Sequence, residues 1–333
     1  MLLAGDVGGT KTLLGLFEVA DRRPAAVATH EYVTTTFNSF TGILDAFSRD
    51  VGRPVAIDAA AVGVAGPVVS NRGTLTNIAW NISADEIAAR LHTKRVQLLN
   101  ALEAMANSVD VLNADEVLVL QEGVARDDGN AAVIAAGTGM GQAYLHRVRG
   151  RLRPVPSEGG HADFAPRTDR EVELLRMLRG RYGRAEVEHV LSGPGLVNLH
   201  RFTHRGGECE MLAGVDEREA PPIISRAGLS GRCQGCADAL AMFVSAYGAE
   251  AGNMALRGMA VSGLYVGGGI APKILPALKN GSFMDAFLAK EPMRDLLSKV
   301  PVRIILNAEA GLLGAAVYAQ ELARSVGEGE SGD

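Results

Sequence analysis

Two rhythms alternate along this chain: apolar runs interrupted by glycine, and stretches whose apolar positions recur at helical spacing. Residues 1–20 read as two strands around a glycine turn: MLLAGDV, then GGT, then KTLLGLFEV. Gly15 in the middle of the second run argues against a helix there. AVGVAGPVV (61–69) is a short apolar strand that breaks at Gly66-Pro67. SADEIAARL (83–91) has the pattern of an amphipathic helix, with Ser83 placed to cap it and Glu86 to complete a capping box. A strand, RVQLLN, follows, and a helix is predicted from 101 to 109.

The second half repeats this order. AAVIAAGTGMGQAYLHRV (131–148) is again strand, Gly-Thr turn, strand, and LYVGGGIAP (264–272) parallels AVGVAGP. The pattern predicts two copies of one α/β unit, each opening with a glycine-turned hairpin. Between the copies, TDREVELLRMLRGRYG reads as a helix with a capping box at Thr168 and Glu171 and a stop at Gly183. The polar stretch 203–222, with its Gly and Pro, reads as a surface loop or insertion. Residues 236–256 form an apolar helix suited to core packing, with a dimer interface as the other use. The last ten residues read as a tail.

Composition narrows the class. A chain of 333 residues accommodates two domains, and 47% hydrophobic with 21% charged residues fits a globular protein. A net charge of −5 without a basic run gives no nucleic-acid footprint. The N-terminus has no basic leader, and 236–256 contains Asp238, Glu250 and Asn253, too polar for a membrane span. Three cysteines make no disulfide framework and fit a reducing compartment. Cys233 and Cys236 form a lone C-x-x-C with no second pair to complete four zinc ligands, so they read as ordinary thiols near a helix start.

The glycine loops exclude two nucleotide motifs. DVGGTKT (6–12) misses the P-loop spacing, with Thr10 where the second Gly is required, and a strand follows where a P-loop needs a helix. GTGMG (137–141) lacks the G-x-G-x-x-G spacing and also runs into a strand. What remains is a hairpin turn with exposed backbone N–H groups that a phosphate can approach closely. Asp6 is placed to hold Mg²⁺ through water, and Thr10 and Thr138 to donate hydroxyls to phosphate. VGGG at 266–269 adds a third such loop. A polar set accompanies them: Glu158 and His161 around two glycines, Glu188, Asn77 and Asn100. Carboxylates, amides and an imidazole together suit a polyhydroxylated sugar, since a carboxylate accepts from two vicinal hydroxyls.

These segments resemble bacterial glucokinases, in the sugar kinase, Hsp70 and actin superfamily. The residues that carry the resemblance are Asp6-Val7-Gly8-Gly9-Thr10, Asn100, Gly137-Thr138-Gly139, Glu158-Gly159-Gly160-His161, Glu188 with LSGPGLVNL, and Val266-Gly267-Gly268-Gly269-Ile270. It runs from about residue 3 to 320. The zinc-binding cysteine cluster of the related repressor/kinase branch is missing. The resemblance implies an α/β protein of two ribonuclease-H-like domains, the actin-like ATPase fold, with a ligand cleft between them. The expected boundaries are 1–110 for a small domain, with 320–333 packing back on it, and 111–320 for a large one. It implies a cytoplasmic homodimer that uses ATP and Mg²⁺ to phosphorylate glucose on its 6-hydroxyl. By the same carry-over, Asn100, Glu158, His161 and Glu188 bind the sugar, and Asn77 of the polar set is expected to join them. Asp6 holds the metal, Gly8, Gly9, Thr10, Lys11 and Gly137, Thr138, Gly139 hold the phosphates, and Gly267, Gly268, Gly269 lie near the adenosine.

One position departs from the family pattern. At the end of RVQLLN the family has Asn-Asp, whose Asp accepts the proton of the attacking hydroxyl, and this chain has Asn100-Ala101. A methyl group accepts no proton. Glu103, two helical residues on, is expected to point about 200° away. Three explanations compete: an Asp→Ala change that traps a substrate complex, a natural pseudokinase that senses sugar, or a shifted catalytic residue. The intact surroundings favour the first. Two classes therefore stay open, an impaired phosphotransferase and a non-catalytic sugar-binding regulator.

Overall fold

The computed structural model describes residues 1–75, 78–204 and 209–325. Asn77 and the C-terminal tail from residue 326 lie outside the described residues. The chain divides into two compact units, Met1–Asn113 with the chain from Asn307 onward, and Ala114–Leu306.

In the first unit the apolar runs become strands β1 (Leu2–Val7), β2 (Lys11–Glu18), β3 (Ala25–Val33), β4 (Ala59–Val64) and β8 (Val96–Asn100). They form a sheet in the order β3-β2-β1-β4-β8. A three-stranded ribbon of β5 (Val68–Val69), β6 (Arg72–Thr74) and β7 (Asn81–Ser83) branches off after β4. The helices are α1 (Phe40–Val51), α2 (Ala84–Leu91), α3 (Ala101–Asn107) and, at the far end of the chain, α11 (Ala310–Arg324).

Alternation along the strands separates two cores. Leu3, Val7, Leu14, Leu16, Ala60, Val62 and Val64 face α1 and α2 and meet Phe40, Ile43, Leu44, Phe47 and Ile87. Leu2, Ala4, Leu13, Phe17, Ala59 and Ala61 face the other way and meet Leu312, Ala315, Ala316 and Ala319 of α11. This second contact explains why the chain rejoins the first unit at Asn307, earlier than the expected 320: nearly all of α11 covers β1 and β4. Gly314 makes the fit possible, since a Cβ there would stand 1.7 Å from the Ala104 carbonyl oxygen of α3.

The second unit holds β9 (Val117–Gln121), β10 (Ala131–Ala136), β11 (Met140–Val148), β12 (Arg151–Ser157), β13 (Gly263–Gly267) and β14 (Val302–Ile305). Its sheet runs β12-β11-β10-β13-β14-β9. Here β10 pairs antiparallel with β11 and parallel with β13, as β1 does with β2 and β4. The order of the first five strands repeats that of the first unit, which is the ribonuclease-H-like arrangement; β9 is added antiparallel at the edge. Helices α4 (Asp169–Tyr182), α5 (Gly193–Thr203), α6 (Ala220–Leu229) and α7 (Gln234–Gly258) precede β13, and α8 (Leu275–Leu278), α9 (Ser282–Leu288) and α10 (Arg294–Leu297) follow it. α7 is a core helix: Phe243, Val244, Tyr247, Ala251 and Met254 are buried against the sheet and its neighbours. The stretch 203–222 opens with the end of α5 and closes with the start of α6. No described helix is long and apolar enough to cross a membrane.

The helix starts follow the expected signals unevenly. Thr168 accepts the Glu171 N–H at 3.2 Å, but the Glu171 carboxylate takes the N–H of Arg167 rather than that of Thr168. Ser83 stands at the start of α2 without a side-chain capping bond, so the box expected with Glu86 does not form.

Candidate active site

Each unit carries its own set of groups. In the first, β1 delivers Asp6 beside the β1–β2 turn, where the Gly8 N–H donates to Lys11 O at 2.9 Å. Beneath the turn Thr34 Oγ1 donates to Gly8 O at 2.8 Å and lies 2.9 Å from Thr12 Oγ1, a buried hydroxyl pair that braces it. Gly9 is partly exposed, Thr10 is exposed, and Lys11 Nζ pairs with Glu31 on β3 at 3.0 Å. Burial, partly offset by the charge of Lys11, pushes the Asp6 carboxyl up to about 6. Gly311, in the first turn of α11, keeps the flank of this carboxylate clear, because a Cβ there would stand 2.6 Å from Oδ2. A hard oxygen donor of this kind suits a hydrated divalent cation.

At the end of β8, Asn100 caps α3. Its Oδ1 accepts the Leu102 N–H at 2.8 Å and its Nδ2 donates to Gly66 O at 3.2 Å. Ala101 is the first helical residue, and its methyl group is partly exposed. Glu103 does not turn away as helical rotation alone predicts. It completes the capping box, its Oε2 accepting the Asn100 N–H at 3.3 Å, and burial raises its carboxyl despite that bond. A carboxylate thus folds back to the residue preceding Ala101.

In the second unit the Gly137-Thr138-Gly139 turn joins β10 to β11. Gly137 N–H donates to Gly139 O at 2.9 Å, and Gly137 O accepts the N–H of Gly193 at 2.8 Å. Thr138 is exposed at its tip. Glu188 lies directly on this turn, with Oε2 accepting the Met140 N–H at 2.7 Å; a Cβ at Gly139 would come equally close to that oxygen, at 2.7 Å. The segment 158–161 packs on β11 through its glycines. A Cβ at Gly160 would stand 2.1 Å from Met140 O, and one at Gly159 2.1 Å from Gln142 Oε1.

This close approach gathers Glu158, His161 and Glu188. It also brings in Glu186, whose Oε1 lies 3.2 Å from His161 Nδ1 and which also takes Arg184. The bond to Glu186 raises His161 against the effect of burial, and the charges of Glu188, Glu186 and Glu158 add to it. At the end of β13, Gly267 is buried and Gly269 exposed. Gly268 has φ +84°, and a Cβ on it would meet Ala136 O at 2.3 Å. Tyr247 of α7 ties these strand ends together: its hydroxyl takes the Ala136 N–H at 3.1 Å and lies 3.3 Å from the carbonyls of Ile134 and Gly267.

A family model for glucokinase matches residues 3–322. The chain belongs to the glucokinase family. A curated glucokinase of Nostoc sp. is 38% identical over 340 residues, spanning 97% of this chain and 99% of that one. The crystal structure of a glucokinase from an Antarctic psychrotroph matches with a TM-score of 0.85 at 28% identity, over 96% of this chain and 98% of that one. A ROK family glucokinase from Streptomyces griseus, crystallised with glucose and AMPPNP, shares the fold with a TM-score of 0.65 at 23% identity, over 96% and 99% of the two chains. Within this glucokinase chain, reading the sequence singled out Glu188 in AEVEH but not Glu186, although both acids stand in the same short run. It also missed Gln142 and Tyr247. Gln142 Nε2 donates to the buried Glu250 at 3.0 Å and supports the turn at Gly159. Only the buried partners of these two residues reveal their role.

Proposed function

We infer that this chain is an ATP-dependent hexose kinase that transfers the γ-phosphoryl group of ATP to the 6-hydroxyl of glucose, and that Ala101 deprives it of its general base. The observation that carries the reading is the family match over residues 3–322 on a fold in which the same glycine-turned hairpin opens both units. The AMPPNP and glucose of the Streptomyces griseus structure support the choice of donor and acceptor.

On this reading Glu158, Glu188 and Asn100 hold sugar hydroxyls through carboxylate and amide hydrogen bonds, as does Asn77. His161, oriented by Glu186, donates to another. The turns Gly8, Gly9, Thr10, Lys11 and Gly137, Thr138, Gly139 lie against phosphate oxygens, with Gly267, Gly268 and Gly269 near the adenosine. Asp6 is the residue that would hold Mg²⁺, which when bound neutralises phosphate charge. The chain does no covalent chemistry of its own. It positions the 6-hydroxyl and must take up its proton, and Ala101 has no atom that does so. The family reading also carries a cytoplasmic homodimer, which sedimentation would check.

Ala101 itself favours a second reading, a sugar-binding regulator without turnover. One paired experiment separates the two. Glucose is titrated calorimetrically into the chain, and ADP release is assayed for it and for Ala101→Asp. Glucose binding with turnover restored by the Asp establishes the impaired kinase. Binding with no turnover in either form establishes the regulator, and absence of binding removes both.

A further inference from the structure

Well along α5 from the glycine turn, the C-x-x-C pair is not alone. His204, at the C-terminal cap of α5, presents its Nε2 3.1 Å from Cys233 Sγ. Cys209 Sγ lies 3.9 Å from Cys233 Sγ and 3.8 Å from Cys236 Sγ. All three cysteines are free thiols. We propose that His204, Cys209, Cys233 and Cys236 form a tetrahedral Cys₃His site for Zn²⁺, a structural staple joining the end of α5, Cys209 and the start of α7.

Geometry supports this assignment. With Zn–S near 2.3 Å, the sulfur–sulfur edge of a regular tetrahedron is about 3.8 Å. The two measured separations, 3.8 and 3.9 Å, match that edge and are far too long for a disulfide. His204 is already oriented as a ligand: its Nδ1 lies 3.0 Å from the backbone oxygen of His200, which fixes the Nδ1–H tautomer and leaves the Nε2 lone pair facing the thiols. Gly235, inside the C-x-x-C, makes room for the ring, since a Cβ there would stand 2.3 Å from His204 Cε1. Thr203 Oγ1 clips the same place by donating to Gly235 O at 2.7 Å.

A fifth donor stands beside these four. His200 is buried, its ring stacks on His204 at 3.9 Å, and its Nε2 has no hydrogen-bond partner among the described residues. Its ligand atom and those of His204, Cys209 and Cys236 all lie within 4.8 Å of one another. The set eluded reading of the sequence because its members are dispersed: Cys209 precedes Cys233 by 24 residues and His204 by 29. Four protein ligands close the coordination sphere, so the site is structural rather than catalytic. α5 has 11 residues, and its first turn meets the Gly137 loop, which places the staple about 16 Å along that helix from the glycine turn. The proposal does not depend on the kinase reading.

The test uses the full chain, purified with reductant and without chelator. Elemental analysis is expected to find stoichiometric zinc, released by a thiol-blocking mercurial and absent from Cys209→Ser. Stripping the metal should lower Tm in the parent chain while leaving the glucose affinity within about twofold. Should the serine variant fail to fold, Co²⁺ added to the stripped parent decides. A thiolate-to-cobalt charge-transfer band with tetrahedral d–d bands supports the site. Absence of both bands, or full zinc retention in folded Cys209→Ser, overturns it. So does a disulfide joining Cys209 to either partner in the freshly purified chain.

Discussion

The β1–β2 and β10–β11 hairpins share topology and glycine turns but place their acids differently. In the first, the carboxylate of Asp6 sits on the strand before the turn, and hydroxyls of Thr12 and Thr34 brace the turn from below. In the second, the strand before the turn is wholly apolar, and the acid, Glu188, arrives from a distant segment to rest on Met140 N–H. One hairpin thus has its own carboxylate built in. The other takes its carboxylate from outside the hairpin and is braced from behind by Tyr247. A repeated fold diverges here in which chain segment supplies the acid.

The sharpest way to probe the first unit is Ala101→Asp, which on the kinase reading raises kcat by about 10²–10⁴-fold, whereas Ala101→Asn leaves it flat. A coupled assay of ADP release checks this. Glu103→Gln in the Ala101 chain tests whether the folded-back carboxylate supplies residual turnover; unchanged residual activity would assign it to capping alone. In the second unit, Gly268→Ala combines a left-handed φ with a backbone clash and is expected to cost about 4 kcal/mol, read by denaturant unfolding.

Asp6 gives the comparison a pH signature. Its folded carboxyl is raised from 3.8 to about 6, so ionising it opposes folding. The stability it contributes is full below 3.8 and lost as pH rises through 6. In metal-free protein Asp6→Asn should therefore stabilise by about 2–3 kcal/mol at pH 8 and not at pH 3.5. Equal stability of Asp6→Asn and the parent chain at pH 8 would erase this signature. The smallest effect belongs to Tyr247→Phe, about 1–2 kcal/mol from leaving the Ala136 N–H unpaired, seen as a lower Tm.

The hairpins were legible because period-two apolar runs meeting at glycines are a local signal, as is the Thr168 cap of α4. What escaped was settled by distant partners. Ser83 has the right residue type at the right place, yet it makes no capping bond. Glu103 has a helical position that suggests one direction, and the unpaired N–H of Asn100 draws it to another. Strand β9 attaches to β14 across nearly the whole unit, and Glu186 acquires its role only by reaching His161. Counting cysteine spacings overlooked His204 for the same reason: the donors meet through the packing of α5 on α7.

The return of the chain at Asn307 has a consequence for biosynthesis. One face of the first sheet is covered by α11, which is synthesised only after the second unit. The second unit is continuous in sequence and precedes α11 directly. The strands of the first unit therefore wait for this cover until the second unit has been made, and a nascent chain stalled before residue 310 carries Leu2, Ala4, Leu13 and Ala61 uncovered, a ready substrate for a holdase chaperone.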